Sequence, residues 1–156
     1  VKALSEAMGA TAVHNRAHIS GEMLSSLQVG LKSLPPQITA AMVVLGDQPR
    51  IQPRVVQQIT QAYAESANSG QLIAPSYLMR RGHPILIGRR HWSAVIAQKE
   101  SLREVLNENA DEIAYVTVET DSVLRDVDTP DDYENERRRA GLRKLDIRSR
   151  RKPDAF

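Results

Sequence analysis

Ala40 to Leu45 is an unbroken run of six apolar residues. A run of that length suits a parallel strand buried on both faces. It stops at Gly46-Asp47-Gln48-Pro49, where Gly46 lets the backbone bend and Pro49 forbids extending the strand. Asp47 is thereby expected at the carboxyl edge of a central strand, the edge at which open α/β sheets bind their ligands.

The other apolar positions are spaced. Leu4, Ala7 and Met8 recur at helical intervals and Gly9 stops them. Thr11–His14 reads as a short strand, and 15–21 as a polar loop. Met23, Leu24, Leu27, Val29 and Leu31 predict a helix from Glu22 to about Ser33, with Ser20 as a candidate N-cap and Leu34-Pro35-Pro36 closing it. Pro53 suits the first turn of the next helix, whose stripe is Val55, Val56, Ile59, Ala62 and Tyr63. Asn68-Ser69-Gly70 predicts a turn, and Gln71–Ala74 a strand broken by Pro75. Tyr77–Arg80 and Pro84–Gly88 read as extended segments around a tight turn at Arg81-Gly82-His83. His91–Gln98 and Ser101–Asn107 read as short helices, Ile113–Glu119 as a strand and Ser122–Leu124 as a shorter one. Thr129, Pro130, Asp131 and Asp132 open a last helix with an N-cap, a first-turn proline and two acids. Strand and helix alternate to about residue 75, which predicts an α/β fold with a mostly parallel sheet and an antiparallel piece added later.

The 156 residues amount to one domain, and 41% hydrophobic content supplies a core. No apolar run reaches membrane-spanning length, no secretory leader is legible, and no cysteine is present. A cytoplasmic protein without membrane partners is expected. The pI near 9.1 comes from one end. Residues 137–156 hold nine Lys/Arg and two Asp, a charge of +7, while the other 136 residues hold 12 Lys/Arg and 17 Asp/Glu, or −5. The body is mildly acidic, so nucleic acid is not an expected partner. The chain opens at Val1 inside an amphipathic stretch, which reads as the start of a fragment.

Two turns carry the candidate chemistry. Asp47 ends the most apolar strand, and Asp126 and Asp128 fall between the last strand and the last helix. Magnesium takes one or two protein carboxylates and fills its octahedron with water and substrate phosphates. Two aspartates from separate strand ends satisfy that need; turn and helix capping is the structural alternative. Gly21-Glu22-Met23-Leu24-Ser25-Ser26 places a glycine and paired hydroxyls at a helix start, where free N–H groups attract anions or cap locally. Arg80-Arg81-Gly82-His83-Pro84 makes an anion-friendly loop or a charged hairpin turn. The four histidines, at 14, 18, 83 and 91, show no metal-ligand spacing.

Gly46-Asp47-Gln48-Pro49, Arg81-Gly82-His83-Pro84 and Asp126-Val127-Asp128-Thr129-Pro130-Asp131-Asp132 occur in the order and rough spacing of the MobA-like nucleotidyltransferases. Asn15, then Gly21–Leu27 and Gly30-Leu31, extend the match. The chain resembles that family over residues 1–136, with 137–156 as a basic tail, and the subgroup it most resembles is molybdenum cofactor cytidylyltransferase. The resemblance implies a Rossmann-like, three-layer fold of the nucleotide-diphosphosugar transferase type. It implies magnesium-dependent transfer of a nucleotidyl group, CMP from CTP, onto a molybdopterin cofactor phosphate, with release of pyrophosphate. A molybdoenzyme receiving the cofactor is an implied partner. Asp47 becomes the catalytic metal ligand and Asp128 the second, with Asp126 supporting that turn. On the same resemblance, Gly21, Ser25, Ser26 and Gly46 would border the nucleotide. Arg81, Gly82, His83 and Pro84 line the cofactor side.

Two departures qualify the match. The family begins with a strand and a Gly-rich loop ending in Arg-Met-Gly that holds the triphosphate; the chain lacks both, so a domain truncated at its N-terminus is expected. Many relatives carry a Gly-Asp-x-Gly-Ala-Arg-like stretch where this chain has Gln98–Arg103, and only Arg103 corresponds. That leaves two alternatives open: a noncatalytic molybdenum cofactor binding or delivery protein, and a nucleotidyltransferase with a sugar or alcohol phosphate as acceptor.

Overall fold

Successive residues of a strand face opposite sides of the sheet, and here that alternation sets the layers. In β2 (Leu72–Tyr77), Leu72 and Ala74 enter one core cluster and Ile73 the other. In β4 (Ile85–Gly88), Ile85 and Ile87 enter the first and Leu86 the second. Helices α2 (Met23–Ser33), α4 (Trp92–Ala97) and α5 (Leu102–Glu108) cover the first face through Leu24, Leu31, Trp92, Val95, Leu102 and Leu106. Helix α3 (Pro53–Glu65) covers the second through Val55 and Ile59, four positions apart and both fully buried. Each such aliphatic side chain contributes about 1.5–3 kcal/mol on burial. The result is the expected three-layer α/β arrangement. The computed structural model describes residues 2–17, 23–66 and 71–142.

The strands are completed by β1 (Ala40–Val43), β3 (Arg80–Arg81) and β5 (Ile113–Thr117), and the helices by α1 (Lys2–Ala7) and α6 (Pro130–Arg139). β4 pairs with β1 and with the start of β2, both antiparallel. β3 pairs with the end of β2 along the same edge, and β5 lies parallel to β2 on the other edge. β1, β2 and β5 therefore run in one direction, with β3 and β4 against them. The sheet is mixed, and most of its strands share one direction. Among the described residues no helix is long and apolar enough to cross a membrane.

Several expectations are corrected. β1 is four half-buried residues and, among the described residues, pairs with β4 alone, so it stands at the edge of the described sheet where the sequence predicts a central strand. An apolar run does not reveal how many neighbours a strand has. Thr11–His14 forms no strand, and Ser122–Leu124 lies in the 3-10 turn Asp121–Leu124. Pro75 does not break β2. Its carbonyl accepts from Gly82 N–H at 2.9 Å, so its missing N–H would have faced the gap between β3 and β4, where no ladder bond is lost. Helix α6 ends at Arg139, where buried Arg137 bonds Glu134 and the Leu142 carbonyl. Ser20, Glu22, the turn at Asn68-Ser69-Gly70 and the tail beyond 142 lie outside the described residues.

The hairpin turn is also displaced. Leu78 and Met79, at φ 47° and 64°, make the reversal between β2 and β3, as a two-residue hairpin loop with left-handed residues requires. Gly82 is needed for another reason. A Cβ there would stand 2.3 Å from the Val123 carbonyl oxygen and 2.8 Å from the Val123 side chain. Gly82→Ala is expected to cost about 1–3 kcal/mol, the range for overpacking a tight contact, as a lowered denaturation midpoint.

Candidate active site

The site begins with a short turn. Past β1 the chain bends, and Gln48 N–H reaches back to the Leu45 carbonyl at 3.4 Å. Asp47 is exposed while Gln48 beside it is buried. The buried amide explains itself: Gln48 Nε2 donates to Asp126 Oδ1 at 2.6 Å and approaches the Val123 carbonyl at 3.5 Å. A second bond lies alongside, from Val127 N–H to the Asp47 carbonyl at 2.9 Å. The two aspartate turns are thus joined through backbone and side chain.

Each turn is braced from behind. Thr129 Oγ1 accepts from Asp132 N–H while the Asp132 carboxylate accepts from Thr129 N–H, a reciprocal cap that starts α6 just after Asp128. The Thr129 hydroxyl bond, aided by backbone N–H groups, holds the Asp132 carboxyl below the usual range. Farther along α6, Glu136 meets Arg125 at 3.4 Å and Arg50 at 3.9 Å. Arg125 also pairs with Asp121 at 3.5 Å. One buried carboxylate on the last helix therefore engages a guanidinium from each turn's flank.

Asp47 and Asp128 are exposed, and among the described residues neither carboxylate has an ion-pair partner. No group of three or more His, Cys, Asp or Glu there could hold a metal. Asp47 borders the groove beside α2, whereas Asp128, with Asp126, borders a separate cavity against α6. Each is an open carboxylate rather than part of a closed cage, which suits an ion that keeps water and phosphate ligands. Asp126 is committed to Gln48.

His83 N–H donates to the Val123 carbonyl at 2.9 Å, which sets the loop against the same 3-10 turn. Its Nε2 is buried without a hydrogen-bond partner. Burial is the main cause that lowers its pKa below 6.5; Arg81 adds to the effect, while Asp126 and Asp47 oppose it. His83 is therefore neutral near pH 7.

The remaining expected site residues separate into two places. Ser26, Gly46 and Asp47 line one groove of about 1110 Å³ between α2 and the stretch 41–47. Ser25 and Ser26 both accept from Asn15 Nδ2, at 2.8 and 3.0 Å, so the paired hydroxyls hold the loop before α2. Gly46 is not demanded by the backbone: a Cβ there would meet nothing within 4 Å. Gly21 lies outside the described residues. Arg81, Gly82 and His83 line a second, smaller cavity, whereas Pro84 is fully buried and supports the loop from inside. Sequence reasoning missed Gln48, Arg50 and Glu136. The only signal was that Gln48 stands in the tight turn beside Asp47.

The family profile of the MobA-like NTP transferase domain matches residues 1–113. The chain belongs to the MobA-like NTP transferase family. The match includes the Asp47 turn and the Arg81–Pro84 loop and ends before Asp126. The crystal structure of Rv0371c from Mycobacterium tuberculosis H37Rv is similar, with a TM-score of 0.64 and 23% identity over 74% of this chain and 59% of that one. An Rv0371c homolog from Mycobacterium sp. strain JC1 gives 0.60 and 23% over 71% and 55%. The Rv0371C complex with manganese gives 0.62 and 24% over 85% and 72%. At these identities the likeness establishes the fold, and the chain spans under two thirds of the first two relatives. No curated protein matches the chain.

Two pH effects follow. The unfolded His83 binds a proton more readily than the folded one, so its contribution to stability is present above about pH 6.5 and is lost as pH falls below it. His91, also lowered mainly by burial, acts in the same direction. His83→Gln should flatten part of that decline in denaturation curves between pH 7 and 5.5. Gln48→Glu reverses the sign, because it sets a second carboxylate against Asp126. Its pKa is raised by folding, so the variant should be unstable at pH 7 and recover on acidification.

Proposed function

We propose that this chain carries the carboxylate half of a nucleotidyltransferase site that moves CMP from CTP onto a phosphate of a molybdopterin cofactor. The observation that carries the reading is the stitched pair of aspartate turns, Val127 N–H to the Asp47 carbonyl and Gln48 to Asp126, in a chain of the NTP transferase family. Asp47 and Asp128 are the carboxylates available to magnesium, and Asp126, held by Gln48, steadies their turns. Magnesium bound there would neutralise triphosphate charge and align the α-phosphate. The manganese complex of the related Rv0371C structure supports a divalent ion in this fold.

In the transfer, an oxygen of the acceptor phosphate forms a bond to the α-phosphorus. The bond from that phosphorus to the α–β bridging oxygen breaks, and pyrophosphate leaves with the electron pair. A phosphomonoester has a second pKa of about 6, so its oxygen is already ionised near neutral pH. The site therefore needs no general base, and a neutral His83 is consistent with that. The groove beside Ser26, Gly46 and Asp47 suits the nucleotide, and the loop at Arg81 and His83 suits the acceptor. A molybdoenzyme that receives the finished cofactor is the partner this reading implies.

Asp47→Ala in the intact protein should reduce magnesium-dependent pyrophosphate release from CTP and molybdopterin by about a hundredfold or more, as several kcal/mol of charge stabilisation is lost. Normal turnover by that variant would overturn the metal assignment.

A further inference from the structure

Many guanidiniums of this chain are occupied. Arg50, Arg125 and Arg139 meet Glu136 or Asp121, Arg90 meets Glu112, and Arg137 meets Glu134. Arg89 donates to the Pro35 and Ile38 carbonyls. Arg81 and Arg103 are different: among the described residues neither guanidinium has an ion-pair or hydrogen-bond partner. Among the described residues Arg16, Arg54 and Arg80 have no such partner either, but all three are exposed and none lines the cavity that holds Arg81 and Arg103.

Arg81, from β3, and Arg103, from α5, line one cavity of about 420 Å³. That volume is in the range of small-ligand pockets. Met23, Ile85, Leu102 and Leu106 give it an apolar wall, and no carboxylate lines it among the described residues. Helix α5 presents Arg103 by a local logic. Ser101 caps the helix by accepting from Glu104 N–H at 3.3 Å, Leu102, Val105 and Leu106 are buried, and Arg103 is left exposed. Two cations in one concavity repel each other unless an anion joins them. Planar guanidinium forks match the several oxygens of a phosphate, and an apolar wall beside them suits a ligand with a flat or apolar body.

We infer that Arg81 and Arg103 together clamp the phosphomonoester end of the acceptor, whose body lies along the wall of Met23, Leu102 and Leu106. The role as acceptor site rests on the nucleotidyl-transfer reading; the phosphate site does not. His83 joins the cavity to the aspartate turns, since it shares the cavity wall and interacts electrostatically with Arg81, Asp126 and Asp47. Arg103 is thereby a binding residue that determines which acceptors are taken.

The test is a fluorescence titration of the full chain with 4-methylumbelliferyl phosphate, a flat phosphomonoester, in EDTA and without nucleotide. Saturable binding is expected, weakened about tenfold or more by Arg103→Ala and by Arg81→Ala and only partly restored by Arg103→Lys, which keeps the charge but loses the fork. 4-Methylumbelliferone, lacking the phosphate, should bind the wild type no better than the phosphorylated probe binds Arg103→Ala. The Arg103→Ala melting curve should coincide with that of the wild type, because the side chain is exposed and unpartnered. Equal affinity of wild type and Arg103→Ala, or wild-type binding indifferent to the phosphate, overturns the site. If the probe binds through Arg103 but the intact protein releases no pyrophosphate, nucleotidyl transfer fails and the phosphate site stands. If turnover occurs and Arg103→Ala changes neither probe affinity nor the acceptor KM, the phosphate site fails and nucleotidyl transfer stands.

Discussion

The carbonyl of Val123 is where the separate parts of this domain meet. It accepts from His83 N–H at 2.9 Å, it is approached by Gln48 Nε2 at 3.5 Å, and it stands where any side chain at position 82 would have to go. Val123 itself is fully buried in the core shared with α3. A polar atom in such a place must be satisfied, and loops from two distant parts of the chain supply the donors. Gln48 and Asp126 are 78 positions apart, and this packing brings them within a hydrogen bond.

The site follows from that constraint. Gln48 donates its amide to Asp126, which leaves Asp47 and Asp128 as exposed carboxylates on two turns tied to each other by hydrogen bonds. Preorganised charge of this kind is effective because the protein, rather than the ligand, has already met the cost of arranging it. The same 3-10 turn that receives Gln48 also receives His83, so the Arg81–His83 loop is placed relative to the aspartates without touching them through an ion pair. The transfer proposed above, between two phosphates, would use such a division: carboxylates toward one, guanidiniums toward the other.

Much of the fold was legible from local signals. Pro53 and the stripe of Val55 and Ile59 mark α3, and Thr129, Pro130 and Asp132 mark the start of α6, because caps and periodicity act within a few residues. The errors lie where a neighbour decides. Pro75 stays in β2 because its missing N–H points into a gap. Leu78 and Met79 turn the hairpin although neither is a residue that favours a left-handed backbone, and Gly82, the obvious turn residue, is needed for its lack of a side chain. Thr11–His14 has strand-forming residues but no strand to pair with among those described.

The sequence by itself determined the family, the helices and the two aspartate turns, since each is written in residues close together along the chain. Asp47 was recognisable as a carboxylate at the end of an apolar run. Only the tertiary structure decided that β1 pairs with β4 at the edge of the described sheet, that Gln48 is the residue tying Asp47 to Asp126, and that Arg81 and Arg103 share a cavity. Those outcomes depend on contacts between positions far apart in the chain. Buried polar groups must find partners, and unpartnered cations become visible only when the rest of the charge has been paired.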